Sequence, residues 1–136
     1  MDRTPIEWIL TALQRTLDFK SRSRRAEYWW FTLLWLVVAV CALAADFALL
    51  GHDPLRPFTG TVFLLASAVL VVPFVAVSIR RLHDQNLSGW YYLFVFVPYI
   101  GGLVMLWWMT RPGTPGDNRF GPDPLPPPNN PTIYYG

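Results

Sequence analysis

Three polar stretches hold the residue types and spacings that could do chemistry. The densest is Arg80-Arg81-Leu82-His83-Asp84, closing on Ser88-Gly89-Trp90. A histidine beside an aspartate can relay a proton, ligate a metal or clamp a lipid headgroup. Adjacent side chains seldom face one point, so this is no ready dyad. A basic turn that fixes membrane topology, with Asp84 pairing an arginine or capping the next helix, accounts for the same residues. The second stretch holds Arg22, Arg24, Arg25 and Glu27, followed by Tyr28 and Trp29. Its charges suit anionic phospholipid headgroups, and they serve simple anchoring as well. The third is Gly116-Asp117-Asn118-Arg119-Phe120-Gly121-Pro122-Asp123-Pro124. Glycine and asparagine permit positive φ and the prolines fix a turn, so a tight turn closing onto the membrane surface is expected around Asn118, Gly121 and Asp123. A phosphate-binding loop would need a following helix with a lysine, which this stretch lacks.

Catalysis finds little support. His52 and His83 fall in different links, and the single cysteine, Cys41, sits in an apolar run. One cysteine excludes an intrachain disulfide and a multi-cysteine metal site. No H-E-x-x-H, G-x-S-x-G or glycine-rich nucleotide loop occurs. The expectation is a protein that is not an enzyme and takes no metal or cofactor. The formal net charge of +2 is too small to point to nucleic acid.

The elements that must position these residues are apolar. Of the 136 residues 53% are hydrophobic and only 15% charged, against about 25% charged in a typical soluble domain. Charge-free runs at residues 29–50 (interrupted only by Asp46), 61–79 and 90–109 are each about 19–22 residues, or roughly 30 Å as helices, enough to cross a bilayer core. Asp46 lies within a turn of the end of its run, where its carboxylate could reach the interface. Pro73 should kink the second run. Tyr28, Trp29 and Trp30 form an aromatic belt on the first run; Trp90, Tyr91 and Tyr92, then Trp107 and Trp108, form belts at opposite ends of the third. The first run is not expected to be a cleaved signal peptide, despite Ala42-Leu43-Ala44, because its charged preamble is long and two more runs follow.

Residues 1–18 predict an amphipathic helix, with Ile6, Ile9, Leu10, Leu13 and Leu17 at helical spacing and Thr4-Pro5 with Glu7 as an N-terminal cap. It either lies on the membrane surface or packs on the spanning bundle. Residues 19–124 form the membrane domain, with polar links at 51–60 and 80–88. Residues 125–136 predict a disordered proline-rich tail. The fold class is thus an all-α integral membrane protein with three transmembrane helices, an interfacial helix and that tail. Arginine and lysine are dense before the first run and after the second, which places the N-terminus in the cytoplasm and the 51–60 link outside. Three full crossings put the tail outside. Pro98, Gly101 and Gly102 offer an alternative, a re-entrant hairpin that returns the tail to the cytoplasm, provided protein covers its broken backbone.

The same three stretches resemble a known pattern. Phe19, Ser21-Arg22, Arg25 and Glu27-Tyr28-Trp29, then Arg80-Arg81-Leu82-His83-Asp84 with Ser88-Gly89-Trp90, then Asn118, Phe120-Gly121 and Asp123-Pro124 are similar, in order, to the signatures of the bacterial inner-membrane family catalogued as domain of unknown function 805. Ser21 stands where that family usually has glycine. The resemblance implies a small multi-pass protein of the cell inner membrane and no particular activity. It also implies that the three polar stretches matter together. The leading functional expectation is a scaffold or envelope component acting through the lipid bilayer, anionic phospholipid headgroups included, or through a membrane-protein partner or a second copy. A subunit of a small oligomeric transporter or channel is the alternative, with Asp46 or His83 on its path.

Overall fold

The structure, a computed structural model, describes residues 3–50 and 60–124. The 51–60 link apart from Gly60, His52 and the 125–136 tail therefore lie outside the described residues. Among the described residues the fold is all-helical: α1 Pro5–Gln14, α2 Arg25–Leu50, α3 Thr61–Asp84, a 3₁₀ helix Gly89–Phe96, and α4 Gly101–Thr110, with no strand.

α1 starts where its sequence says it should. The Thr4 amide donates to the Glu7 carboxylate at 2.7 Å and the Glu7 amide donates to the Thr4 hydroxyl at 3.4 Å, with Pro5 opening the helix. These are the reciprocal bonds of a capping box. The helix has two apolar faces. Trp8 and Ala12 are buried against the bundle, while Ile6, Leu10 and Leu13, with Leu17 in the turn beyond the helix, form an exposed stripe. Packing on the bundle and an outward apolar stripe thus occur together.

α2 and α3 are the two helices long and apolar enough to cross a membrane, with mean hydropathy 2.3 and 2.7 over their most apolar windows. Only 17% and 28% of those windows are buried. A core helix of a soluble protein would bury most of such a surface; here Leu36, Val37, Val40, Leu65, Val69 and Val72 point outward. The pair runs antiparallel. Phe31 and Val77 meet Ala12 in one cluster, and Phe74 lies against the rings of Tyr28, Phe31 and Trp35. Buried Ala39 and Ala42 keep the α2 contact face small, which suits close approach of membrane helices.

Asp46 does not reach for the interface. It is 1% exposed, and its carboxylate accepts the amides of Val62 and Phe63 at 2.8 and 2.9 Å. Gly60, the residue before α3, has no side chain to cap it, so α2 supplies the anion that the start of α3 favours.

α3 runs unbroken through Pro73 and continues through Asp84. Residues 80–84, expected in a link, are its last turn. Asn86 takes φ +58°, its amide donates to His83 O at 2.9 Å, and the Leu87 amide donates to Leu82 O at 3.0 Å. That is a Schellman ending with asparagine in the left-handed position, and Leu87 packs near Leu82 to complete it.

The third apolar run is not one helix. Its first part is 3₁₀, a turn follows with Tyr99 at φ +64°, and α4 is only 10 residues long, about 15 Å or half a bilayer core. The two arms fold on each other: the rings of Tyr91 and Phe94 each meet Trp108 edge-on at 5.3 Å. Aromatic belts expected at opposite ends therefore share one pole. Two residues explain the break. Pro98 has no amide for a helix. A Cβ at Gly101 would collide with the Phe94 backbone carbonyl, so glycine is what permits the arms to approach.

Candidate functional site

The start of α2, the end of α3, the end of α4 and the segment after it meet at one polar pole, and there the three motifs come together. Arg80 is fully buried. Its guanidinium meets Glu27 at 2.7 Å and donates to the carbonyls of Arg15 and Asp18 at 2.6 and 2.9 Å. One arginine thereby holds the exit of α1 to both long apolar helices. Glu27 also pairs with Arg15 at 3.5 Å.

Arg81, also fully buried, pairs with Asp84 and donates to the carbonyls of Met109 (3.5 Å) and Arg111. The Gln85 amide reaches Trp108 O, and Arg25 donates to Thr110 O at 3.4 Å. The last carbonyls of a helix lack partners within it. At the end of α4, side chains from α2 and α3 and the residue just beyond it supply them.

Arg22 closes the pole from the other side. It meets Asp84 at 3.0 Å and donates to the carbonyls of Thr114 and Gly116 at 2.6 Å each and of Gly121 at 3.3 Å. Asp123 lies 4.0 Å from it and accepts the Gly116 amide at 2.8 Å. Asn118 donates to His83 O at 3.0 Å and to the Thr114 hydroxyl at 2.8 Å, while its own Oδ1 accepts the Phe120 amide. Asn118 and Gly121 exchange backbone bonds, which forms the expected tight turn. The turn closes onto the protein rather than onto lipid. The segment after α4, placed across the membrane by three full crossings, instead lies against the first two motifs.

His83 does not form a dyad with Asp84. Its ring stacks on Phe120 at 3.8 Å and its Nδ1 faces Ser21 O at 3.3 Å, which favours the tautomer with the proton on Nδ1. Gly89 sits against Ile79 and His83, where a Cβ would meet Ile79 at 2.8 Å. Ser88 precedes the 3₁₀ helix without capping it through its side chain. Tyr28 packs between the two apolar clusters, with Trp29 edge-on to it at 5.3 Å. Trp90 is 78% exposed and lines an open apolar cavity with Phe19, His83, Ser88 and Gly89.

Several working residues were absent from the sequence expectation. Asp18 accepts the amides of Lys20 and Ser21 at 3.1 Å each and pairs with Arg15. Burial alone would raise its pKa, yet the bonds from Ser21, Lys20 and Arg15 hold it well below the ordinary carboxylate value. The available signal was an aspartate just past the helix, whose carboxylate can accept the amide two residues on, here Lys20, in an Asx turn. Arg3, Trp8 and Arg15 had no motif to mark them. Among the described residues no group of three metal-ligating side chains occurs.

A buried ionic pole that ties together two candidate membrane spans, a broken apolar hairpin and an N-terminal amphipathic helix marks the class as a small all-helical protein with the apolar helices of a membrane protein. The chain belongs to the family described as "Protein of unknown function (DUF805)", which it matches over residues 16–122. Among its relatives, "Inner membrane protein YhaI" of Escherichia coli (strain K12) is 40% identical over 119 residues, covering 88% of this chain and 96% of that protein. "Inner membrane protein YhaH" of the same strain is 35% identical over 119 residues, covering 88% and 97%. No solved structure matches the chain.

Proposed function

We propose that this protein is a non-enzymatic component of the inner membrane that acts through lipid contacts at its polar pole, with a membrane-protein partner or a second copy as a further contact. The observation that carries the reading is how the pole's charges are used. Arg22, Arg80 and Arg81 are taken up by Glu27, Asp84 and backbone carbonyls, beside the exposed stripe of Ile6, Leu10, Leu13 and Leu17. Groups so committed hold a shape and leave little for acid–base work, while an apolar stripe flanked by arginines suits a bilayer interface. The transporter reading is weaker for the same reason: Asp46 is occupied in capping α3, and His83 in its stack on Phe120.

In this reading α2 and α3 cross the bilayer, and the arms at Gly89–Phe96 and Gly101–Thr110 dip in and return. The N-terminus, the pole and the segment after α4 share the cytoplasmic side, in line with the arginine density there. A reporter fused after Gly136 that is active only in the cytoplasm should be active. Activity only for a reporter of the opposite compartment overturns the hairpin. Purified full-length protein should retain anionic lipid in preference to zwitterionic lipid. Equal retention, with no membrane partner captured by crosslinking, overturns the functional reading.

A further inference from the structure

A cavity of about 370 Å³ opens between α1 and the start of α2, lined by Arg3, Trp8, Arg15, Arg22, Arg24 and Glu27, with Pro124 at its edge. Four guanidiniums face one carboxylate, but they are not equivalent. Arg15 is paired with Asp18 and Glu27, and Arg22 with Asp84. Arg3 and Arg24 have no carboxylate partner among the described residues. Both instead lie over the Trp8 ring, at 5.1 and 5.7 Å from its centroid. Among the described residues Arg24 Nε is buried without a hydrogen-bond partner; Arg80 Nε and Gln85 Oε1 share that state there but belong to residues that do not line the cavity.

Each of these facts has a cost that an anion removes. A buried donor without an acceptor is unfavourable. Two cations gathered on one ring repel each other, and an opposite charge relieves that. The Trp8 ring, itself buried, gives the site a low-dielectric floor on which a charge-assisted bond is strong. The volume exceeds what one phosphate fills and leaves space for an ester substituent.

We infer that this cavity is a phosphate site, with Arg24 and Arg3 as the binding charges, Trp8 as the floor and Arg15 and Arg22 as the fixed basic wall. The phosphate belongs to an anionic lipid headgroup or to a soluble phosphate compound, since both present the same oxygens to the guanidiniums. The inference rests on the lipid-contact reading above and assigns it a place.

The test uses the full chain in a neutral detergent, with binding read as the rise in thermal unfolding midpoint on titration. The probes are short-chain phosphatidylglycerol, short-chain phosphatidylcholine and inorganic phosphate. The variants are Arg24→Gln and Arg3→Gln, with Lys20→Gln, at an exposed residue outside the cavity, as a control of equal charge change. Saturable binding of phosphatidylglycerol, weakened about tenfold by either cavity variant and unchanged by Lys20→Gln, is expected for loss of one charge-assisted bond. Phosphatidylcholine should leave the midpoint where it is. Inorganic phosphate that binds with the same variant pattern while the lipid does not keeps the site and overturns the lipid reading. Lipid binding that all three variants weaken alike, or that none weakens, overturns the site and leaves the lipid reading standing. No response to any probe overturns both. Arg3 is exposed, so Arg3→Gln decides the question if Arg24→Gln does not fold.

Discussion

Replacing Glu27 by leucine removes the carboxylate that faces Arg80 at 2.7 Å and Arg15 at 3.5 Å. The two side chains of the closer pair are 2% and 0% exposed, so water cannot take the place of the lost partner. Leaving one member of such a pair uncompensated costs about 3–5 kcal/mol. Arg80→Met should cost more. It leaves Glu27 with only the longer Arg15 contact, and it also strips the Arg15 and Asp18 carbonyls of their donor, at about 1 kcal/mol each. The double variant removes both charges and retains only the carbonyl losses, so its deficit should be near 2 kcal/mol on the same scale. The combined change is therefore expected to be milder than either single change. Reversible unfolding of the full chain in mixed micelles, scored as a double-mutant cycle, measures all three. Single-variant costs below about 1 kcal/mol, the range of exposed ion pairs, would refute a sealed pole. So would a double variant equal to the sum of the singles, which marks independent residues.

Asp46→Ala should destabilise the α2–α3 pair by about 1–2 kcal/mol, the worth of a helix cap, and Asp46→Asn by less; the same unfolding assay reads it. Gly101→Ala should be strongly destabilising, since its Cβ would sit 3.0 Å from the Phe94 carbonyl carbon and closer to the oxygen, whereas Gly102→Ala, with nothing within 4 Å, should be neutral or slightly stabilising. Asp18 has a depressed pKa in the folded state, so the stability it supplies is present above the ordinary carboxylate value of 3.8 and is lost as pH falls below it toward the folded value. Acid unfolding of Asp18→Asn should therefore show a shallower pH dependence below about pH 4 than the unaltered chain.

The two long apolar helices were legible because crossing length in lipid demands long runs poor in charge, and residues 29–50, with Asp46 alone charged, and 61–79 meet that demand. The α1 cap was legible because Thr4, Pro5 and Glu7 act locally. The helical state of residues 80–84 was hidden, since charged residues after an apolar run read as a link, and only Asn86 in a left-handed conformation marks the true end. The break in the third run was visible in Pro98 and Gly101 as an alternative, but hydropathy alone favours one continuous helix there. The pole itself depends on contacts between residues up to 99 positions apart, which no local pattern encodes. Asp46 shows the same limit: a carboxylate near a helix end looks interfacial until the next helix is brought to it.

The Arg22 clamp has a consequence for how the chain is made. The carbonyls it grips at Thr114 and Gly121 lie 92 and 99 residues downstream. At about 5–20 residues per second, ribosomes need several seconds to reach them. Both long helices can be handed to the bilayer in that interval, while Arg22 waits without its final acceptors. The last step in closing the pole is thus set by synthesis of the segment after α4, and a message truncated just before the codon for Thr114 would release a chain in which Arg22 keeps Asp84 but lacks the three carbonyls that complete its clamp.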